Sequence, residues 1–178
     1  MTRELTLIKK VSSENFGDIY NIESEFDKKN VKSILVKLET IFQNNKIKFI
    51  IGEFSGGNDS GGFDHIYLAD KDKKEITILP KDKEDFLIYS DKSSIRYYKE
   101  NKEYSVFESK SFERFDLTDN NILETILLSS GCLDEWGSFA GEFTVSGIVE
   151  LDVFTGKWNC SGSESVEQYE DFDREGEI

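Results

Sequence analysis

Three stretches of the chain repeat apolar residues every three or four positions, the spacing of one helix face. The clearest stretch, residues 31–45, carries its stripe on Val31, Ile34, Leu35, Leu38, Ile41 and Phe42. Residues 13–26 carry a weaker stripe. Residues 119–130 carry another, with Thr118 or Asp119 placed to cap its start and Gly131 to end it. Asn30 or Asp27 is expected to cap the helix at 31–45. The pattern therefore predicts two or three helices.

The segments between these helices alternate apolar and polar residues and are rich in aromatic and β-branched side chains, which is typical of strands. The predicted strands before residue 119 are 46–54, 63–68, 75–79, 86–89, 94–98 and 104–108. A tight turn is expected at Glu100-Asn101-Lys102.

Strand patterns return after the last helix. Residues 140–145 and 148–154 alternate on either side of Ser146-Gly147, which predicts a hairpin turn there. Further strands are expected over 157–160 and 165–172.

The order of these elements predicts an α+β fold with a mostly antiparallel sheet and two or three helices. No linker-like composition interrupts residues 1–172, so we predict one domain there, followed by a frayed acidic tail at 173–178.

Charge is concentrated near one end of the chain. Residues 131–178 contain twelve acidic residues against Lys157 and Arg174, which is −10 of the formal net charge of −14. An anionic field of this density costs the compact state self-repulsion, so it points to a cationic partner. Direct nucleic-acid binding is disfavoured by the same charge, because nucleic-acid-binding domains are basic.

The two cysteines, Cys132 and Cys160, are too few for a disulfide framework, and we expect two buried free thiols. No segment has the apolar length of a membrane span, and the first ten residues lack a signal-peptide core. The expected location is the bacterial cytoplasm.

The densest chemical cluster is the Gly/Ser-rich segment 55–62, where Asn58, Asp59 and Ser60, with nearby Asp64, are candidate ligand or partner contacts. Asp59-Ser60-Gly61-Gly62 matches the core of a serine-protease nucleophile motif. The only histidine, His65, follows five residues later and has no partner at the spacing that mechanism needs. We expect a structural loop there, no catalytic residues, no metal site and no cofactor.

Aromatic residues alternate with basic ones between residues 89 and 115, as in single-strand nucleic-acid binders. Acidic residues in the same segment cancel its charge, so we expect these rings to pack in the core and on sheet faces.

The acidic end combines carboxylates with aromatic anchors. The predicted partner-binding residues are Glu164, Glu167, Tyr169, Glu170, Asp171, Phe172 and Asp173. Carboxylates spaced along strands can imitate a phosphate backbone, and such complementarity accelerates association and fixes orientation.

Two segments resemble a family of small acidic proteins encoded by phages, plasmids and bacteria. One is the Gly52-to-Gly62 run, similar to that family's strand and Gly-Ser-Gly-Asp-Ser-Gly loop. The other is Gly141-Glu142-Phe143-Thr144-Val145 leading into residues 148–152. The resemblance implies a mobile-element setting and no particular chemistry.

These observations favour a non-enzymatic acidic inhibitor. It would block the basic nucleic-acid-binding groove of a host defence or nuclease protein. An immunity protein that neutralises a cognate toxin is the first alternative. A small metal- or ligand-binding domain that uses residues 55–65 is the second.

Overall fold

The structure, a computed structural model, describes residues 5–137, 139–165 and 169–177, with the backbone alone at 80, 81 and 169–171. Two antiparallel sheets and two α-helices form an α+β domain, which confirms the predicted fold class. Two short 3-10 turns occupy Ser13–Asn15 and Pro80–Phe86. The main elements are β1 (Leu5–Ser12), α1 (Gly17–Asn44), β2 (Phe49–Gly57), β3 (Ser60–Ala69), β4 (Leu87–Glu100), β5 (Glu103–Asp116), α2 (Asn120–Ser129), β6 (Thr144–Asp152), β7 (Lys157–Ser165) and β8 (Tyr169–Glu177).

The first two predicted helices are one continuous helix, α1, because the residues between them contain no proline or glycine to stop it. Asn30 is therefore not a helix cap. Its side-chain amide donates to the carbonyl oxygen of Ser93 (2.6 Å) and accepts from the Ser93 N–H (3.0 Å). This pair of bonds ties the middle of α1 to the backbone of β4. The predicted α2 is confirmed, with Asp119 capping Asn121 N–H and Gly131 at φ +82°.

The smaller sheet has the strand order β1-β5-β4. Its two 14-residue strands form one long hairpin, which confirms the predicted turn at Asn101 (φ 55°). The short strands predicted over 86–89, 94–98 and 104–108 are, apart from residue 86, parts of these two longer strands. The pattern did not predict β1, in which only Val11 is buried.

The larger sheet has the order β3-β2-β6-β7-β8. The predicted turn at Ser146-Gly147 is wrong, because both residues lie in the middle of β6. A Cβ on Gly147 would lie 2.5 Å from the Ser161 carbonyl oxygen and 2.9 Å from the Phe54 ring. Gly147 is therefore needed because Ser161 and Phe54 approach it closely, and not because it forms a turn. The predicted strand at 75–79 contributes only the Ala69–Glu75 bridge.

The predicted frayed tail is also corrected. Residues 173–177 complete β8, where Asp173 pairs with Ser161 and Glu177 pairs with Lys157. Residue 178 lies outside the described part of the chain.

The core lies between the helices and one face of the larger sheet, called here the inner face. Its largest fully buried side chains include Phe42, Ile50, Phe54, Leu127 and Leu151. The opposite face, called here the outer face, consists of the alternate strand positions and is largely exposed.

Candidate protein-interaction surface

Strict alternation along β6 separates the two faces of the larger sheet. Val145, Val149 and Leu151 are buried in the core, whereas Ile148 points outward with 41% of its surface exposed. The register of the neighbouring strands places Glu53, His65, Ser161 and Asp173 in one row with Ile148. The next row contains Ile51, Tyr67, Glu150, Asn159 and Glu175. The outer face thus combines an apolar centre with carboxylates around it.

The five strands of this sheet contain ten acidic residues and only two basic ones. The three strands of the smaller sheet contain six acidic and seven basic residues. The larger sheet therefore carries −8 of the formal net charge of −14, whereas the smaller sheet carries +1. Folding brings Glu53, more than one hundred residues distant in sequence, into the row that contains Asp173.

The last strand supplies a row of exposed acids. Asp173, Glu175 and Glu177 occupy alternate positions of β8 on the outer face, so their Cα atoms repeat about every 6.6 Å. The side-chain amide of Asn159 donates to Asp173, which fixes that carboxylate. Lys157 lies 3.9 Å from Glu177, but both side chains are exposed, so this ion pair contributes little.

Arg174 holds this strand against the core from the inner face. Its guanidinium lies 5.1 Å from the centre of the Trp136 ring and 4.9 Å from that of Phe172. It also makes a two-pronged contact with Glu135, at 2.8 Å and 3.1 Å. Stacking on two rings combined with a forked carboxylate contact suits arginine in particular. The only basic residue of β8 is thus used for anchoring, and Asp173, Glu175 and Glu177 are left facing outward.

A second group of charges surrounds two stacked rings on β3. The centres of the His65 and Tyr67 rings lie 5.0 Å apart, with 28° between their planes. Burial raises the pKa of Tyr67, and the carboxylates of Glu53, Glu75 and Glu150 raise it further. Several carboxylates therefore lie close to these two rings.

The Gly/Ser-rich segment forms the third feature of the outer face, and it is a hairpin whose turn is shorter than the predicted loop at 55–62. Residues 55–57 and 60–62 pair in the sheet, and only Asn58 and Asp59 form the turn, at φ 52° and 68°. Their N–H groups donate to the carbonyl oxygens of Gly141 and Phe139.

Glycine is required in this hairpin because Phe139 packs against it. A Cβ on Gly56 would lie 2.0 Å from the Phe139 ring, and one on Gly61 would lie 2.5 Å from it. An open depression of about 670 Å³ lies at this hairpin, lined by backbone and by hydroxyl groups such as those of Ser55, Ser60 and Ser146. Asp64, the remaining candidate residue of this segment, is exposed at its rim. Within the described residues, no three potential metal ligands come together.

The structure divides the predicted partner-binding residues. Asp173 lies on the outer face, whereas Phe172 contacts Trp136 on the inner face, with ring centres 5.1 Å apart. The part-buried Glu164 pairs in register with Glu170. The backbones of Tyr169, Glu170 and Asp171 lie in β8, and Glu167 lies outside the described residues.

Sequence reasoning missed Glu53, Glu150, Glu175 and Glu177 as members of this surface. A signal existed for the last two, because acids occupy every second position from Asp171 to Glu177. Assigning those residues to a tail concealed a strand pattern.

The two cysteines are free and buried, as predicted. Burial raises the pKa of Cys132 to about 12 and that of Cys160 to about 11. Both thiols therefore stay protonated at neutral pH and are poor nucleophiles.

No protein-family model, curated protein or solved structure matches the chain. The resemblance to the mobile-element family stays a prediction. Neither described helix has the length and apolar character needed to cross a bilayer.

Proposed function

We propose that the chain is a non-enzymatic binding protein whose outer face docks onto a basic, nucleic-acid-binding groove of another protein. The observation that supports it is the acid excess of the larger sheet, whose five strands contain ten acidic residues against two basic ones, with Glu53, Asp173 and Glu175 exposed on its outer face. Of the two basic residues, Arg174 is held at Glu135 and two rings on the opposite face.

The composition of the outer face supports binding to a protein rather than simple solubilisation. Ile148 lies on the middle strand, β6, with Glu53 beside it on β2 and Asp173 in the same row on β8. The stacked His65–Tyr67 pair lies on the edge strand, β3, next to Glu53. Protein interfaces combine an apolar or aromatic centre with a polar rim in this way. The carboxylates would steer a basic partner into contact, and the centre would hold it.

The test compares two triple variants that carry the same change in charge. The first replaces Glu53, Asp173 and Glu175 on the outer face by lysine, and the control replaces the exposed Asp91, Glu100 and Glu103 of the smaller sheet. Each immobilised protein is used to capture partners from a bacterial lysate, and the captured proteins are identified by mass spectrometry.

The expected result is that the wild type and the control capture the same basic nucleic-acid-binding protein, and that added nucleic acid displaces it. The outer-face triple variant should lose it. A partner that the outer-face variant still captures, or that nucleic acid does not displace, contradicts the proposal. A toxin as the captured protein would make the chain an immunity protein.

A further inference from the structure

We propose that the His65–Tyr67 stack is a docking site for an arginine side chain of the partner, with Glu53 as the carboxylate that receives the guanidinium. This inference rests on the proposed function and names the side chain that the outer face recognises. It follows from the arrangement of rings, carboxylates and cations around β3.

The rings supply the flat surface. His65 and Tyr67 lie two residues apart on one strand, so both stand on the outer face with their planes nearly parallel. About half of the His65 side chain is exposed, and Tyr67 is half-buried. A guanidinium is planar and weakly hydrated, so it stacks on aromatic faces more readily than an ammonium does.

Carboxylates lie where a stacked guanidinium would need them. Glu53 is directly opposite His65 in the β2–β3 register, which places the two Cβ atoms within about 5.5 Å. Glu75 supplies a second carboxylate, which lies 3.8 Å from His65 Nε2. A carboxylate beside a ring pair can accept two parallel N–H bonds from arginine.

The lysine that already pairs with a carboxylate of this region leaves Glu53 available to an arginine. Lys73 lies 2.6 Å from the Glu150 carboxylate and neutralises it. Among the described residues, no cation forms an ion pair with Glu53. Burial raises the pKa of Tyr67, and the nearby carboxylates of Glu53, Glu75 and Glu150 raise it further.

The test uses two peptides, nona-arginine and nona-lysine, which carry equal charge but differ in the flat guanidinium. Affinities for each are measured by titration calorimetry at physiological salt. The wild type should bind nona-arginine about tenfold more tightly than nona-lysine, as expected for stacking added to charge attraction.

Two variants of Tyr67 separate stacking from folding. Tyr67→Leu removes the ring and should reduce the preference for arginine to about twofold or less, whereas Tyr67→Phe keeps the ring and should retain the preference. Tyr98→Leu, at an exposed tyrosine of the smaller sheet, is the matched control and should also retain it. Circular dichroism verifies that each variant is folded.

The outcomes distinguish this inference from the proposed function. Equal binding of both peptides by the wild type, lost in the outer-face triple variant, overturns the arginine site alone. A preference that survives Tyr67→Leu in the folded variant also overturns it. Binding that the outer-face triple variant retains contradicts the proposed function itself.

Discussion

The two sheets of this protein differ in their charge and in the kind of side chain that they expose. The five-stranded sheet buries its inner face under both helices and exposes acids on its outer face. The three-stranded sheet has balanced charge and exposes aromatic rings instead. Tyr89 and Phe112, for example, stack 5.8 Å apart with 59% and 68% of their surfaces exposed. The difference shows that the acid excess of the strands belongs to the larger sheet and is not shared by the smaller one.

The smaller sheet also differs in how it is held. Its hairpin relies on α1 through the Asn30–Ser93 bonds and through a small cluster of Val11, Ile19 and Val106. Its aromatic residues pack in the core and on the sheet face, as expected, and Tyr97 and Tyr98 contact Tyr104 and Phe107 across the strands. Phe115 is buried, whereas Tyr97 and Tyr98 are exposed.

The largest expected effect distinguishes the two sheets by burial. Phe54 in β2 is 2% exposed and contacts Phe63 and Trp136, so Phe54→Ala should lower the free energy of unfolding by about 3–5 kcal/mol. Phe112→Ala in β5 should change it by less than about 1 kcal/mol. Urea denaturation of both variants measures the difference. Similar losses in the two would mean that the exposed ring is as well packed as the core.

A smaller effect is expected from a matched pair of arginines, one in each sheet. Arg174→Ala removes the contacts with two rings and with Glu135, and should cost about 1–2 kcal/mol, with faster amide exchange in β8. Arg114→Ala removes only an exposed pair with Asp116 at 3.7 Å, and should cost less than about 0.5 kcal/mol. Hydrogen exchange followed by mass spectrometry measures the amide protection of both variants. Unchanged protection of β8 in Arg174→Ala would show that strand pairing alone holds it.

The smallest effect concerns acid stability and involves one aspartate from each sheet. The Thr118 hydroxyl donates to Asp116 at 2.7 Å and lowers the pKa of that carboxyl. Burial opposes ionisation of Asp152, but hydrogen bonds from Lys48 and from two backbone N–H groups outweigh it and lower its pKa.

A lowered pKa stabilises the folded state above the ordinary value, near 4, and this contribution is lost as the pH falls through the folded-state value. Asp116→Asn and Asp152→Asn should therefore each flatten the fall in melting temperature between about pH 5 and pH 2. A variant with the same slope as the wild type would show that its carboxyl is not stabilised by folding.

The sequence predicts the helices and the hairpins better than it predicts which residues form the outer face. The apolar stripe from Val31 to Phe42 and the turn at Asn101 depend on local spacing, and both are confirmed. The predicted turn at Gly147 failed because a glycine needed for close packing has the same local signature as a turn glycine.

The composition of the outer face depends on strand order. β2 pairs with β6, and β8 lies two strands beyond β6. Glu53 and Asp173 therefore lie in one row of the sheet, which no local sequence pattern predicts.

An NMR titration of the labelled protein with nona-arginine shows directly whether the outer face is the binding surface. Shift changes should concentrate at backbone amides of the outer-face rows, including Glu53, His65, Ile148 and Asp173, and should leave β4 and β5 unchanged. Shift changes concentrated on β4 and β5, or spread evenly over both sheets, would contradict the proposal.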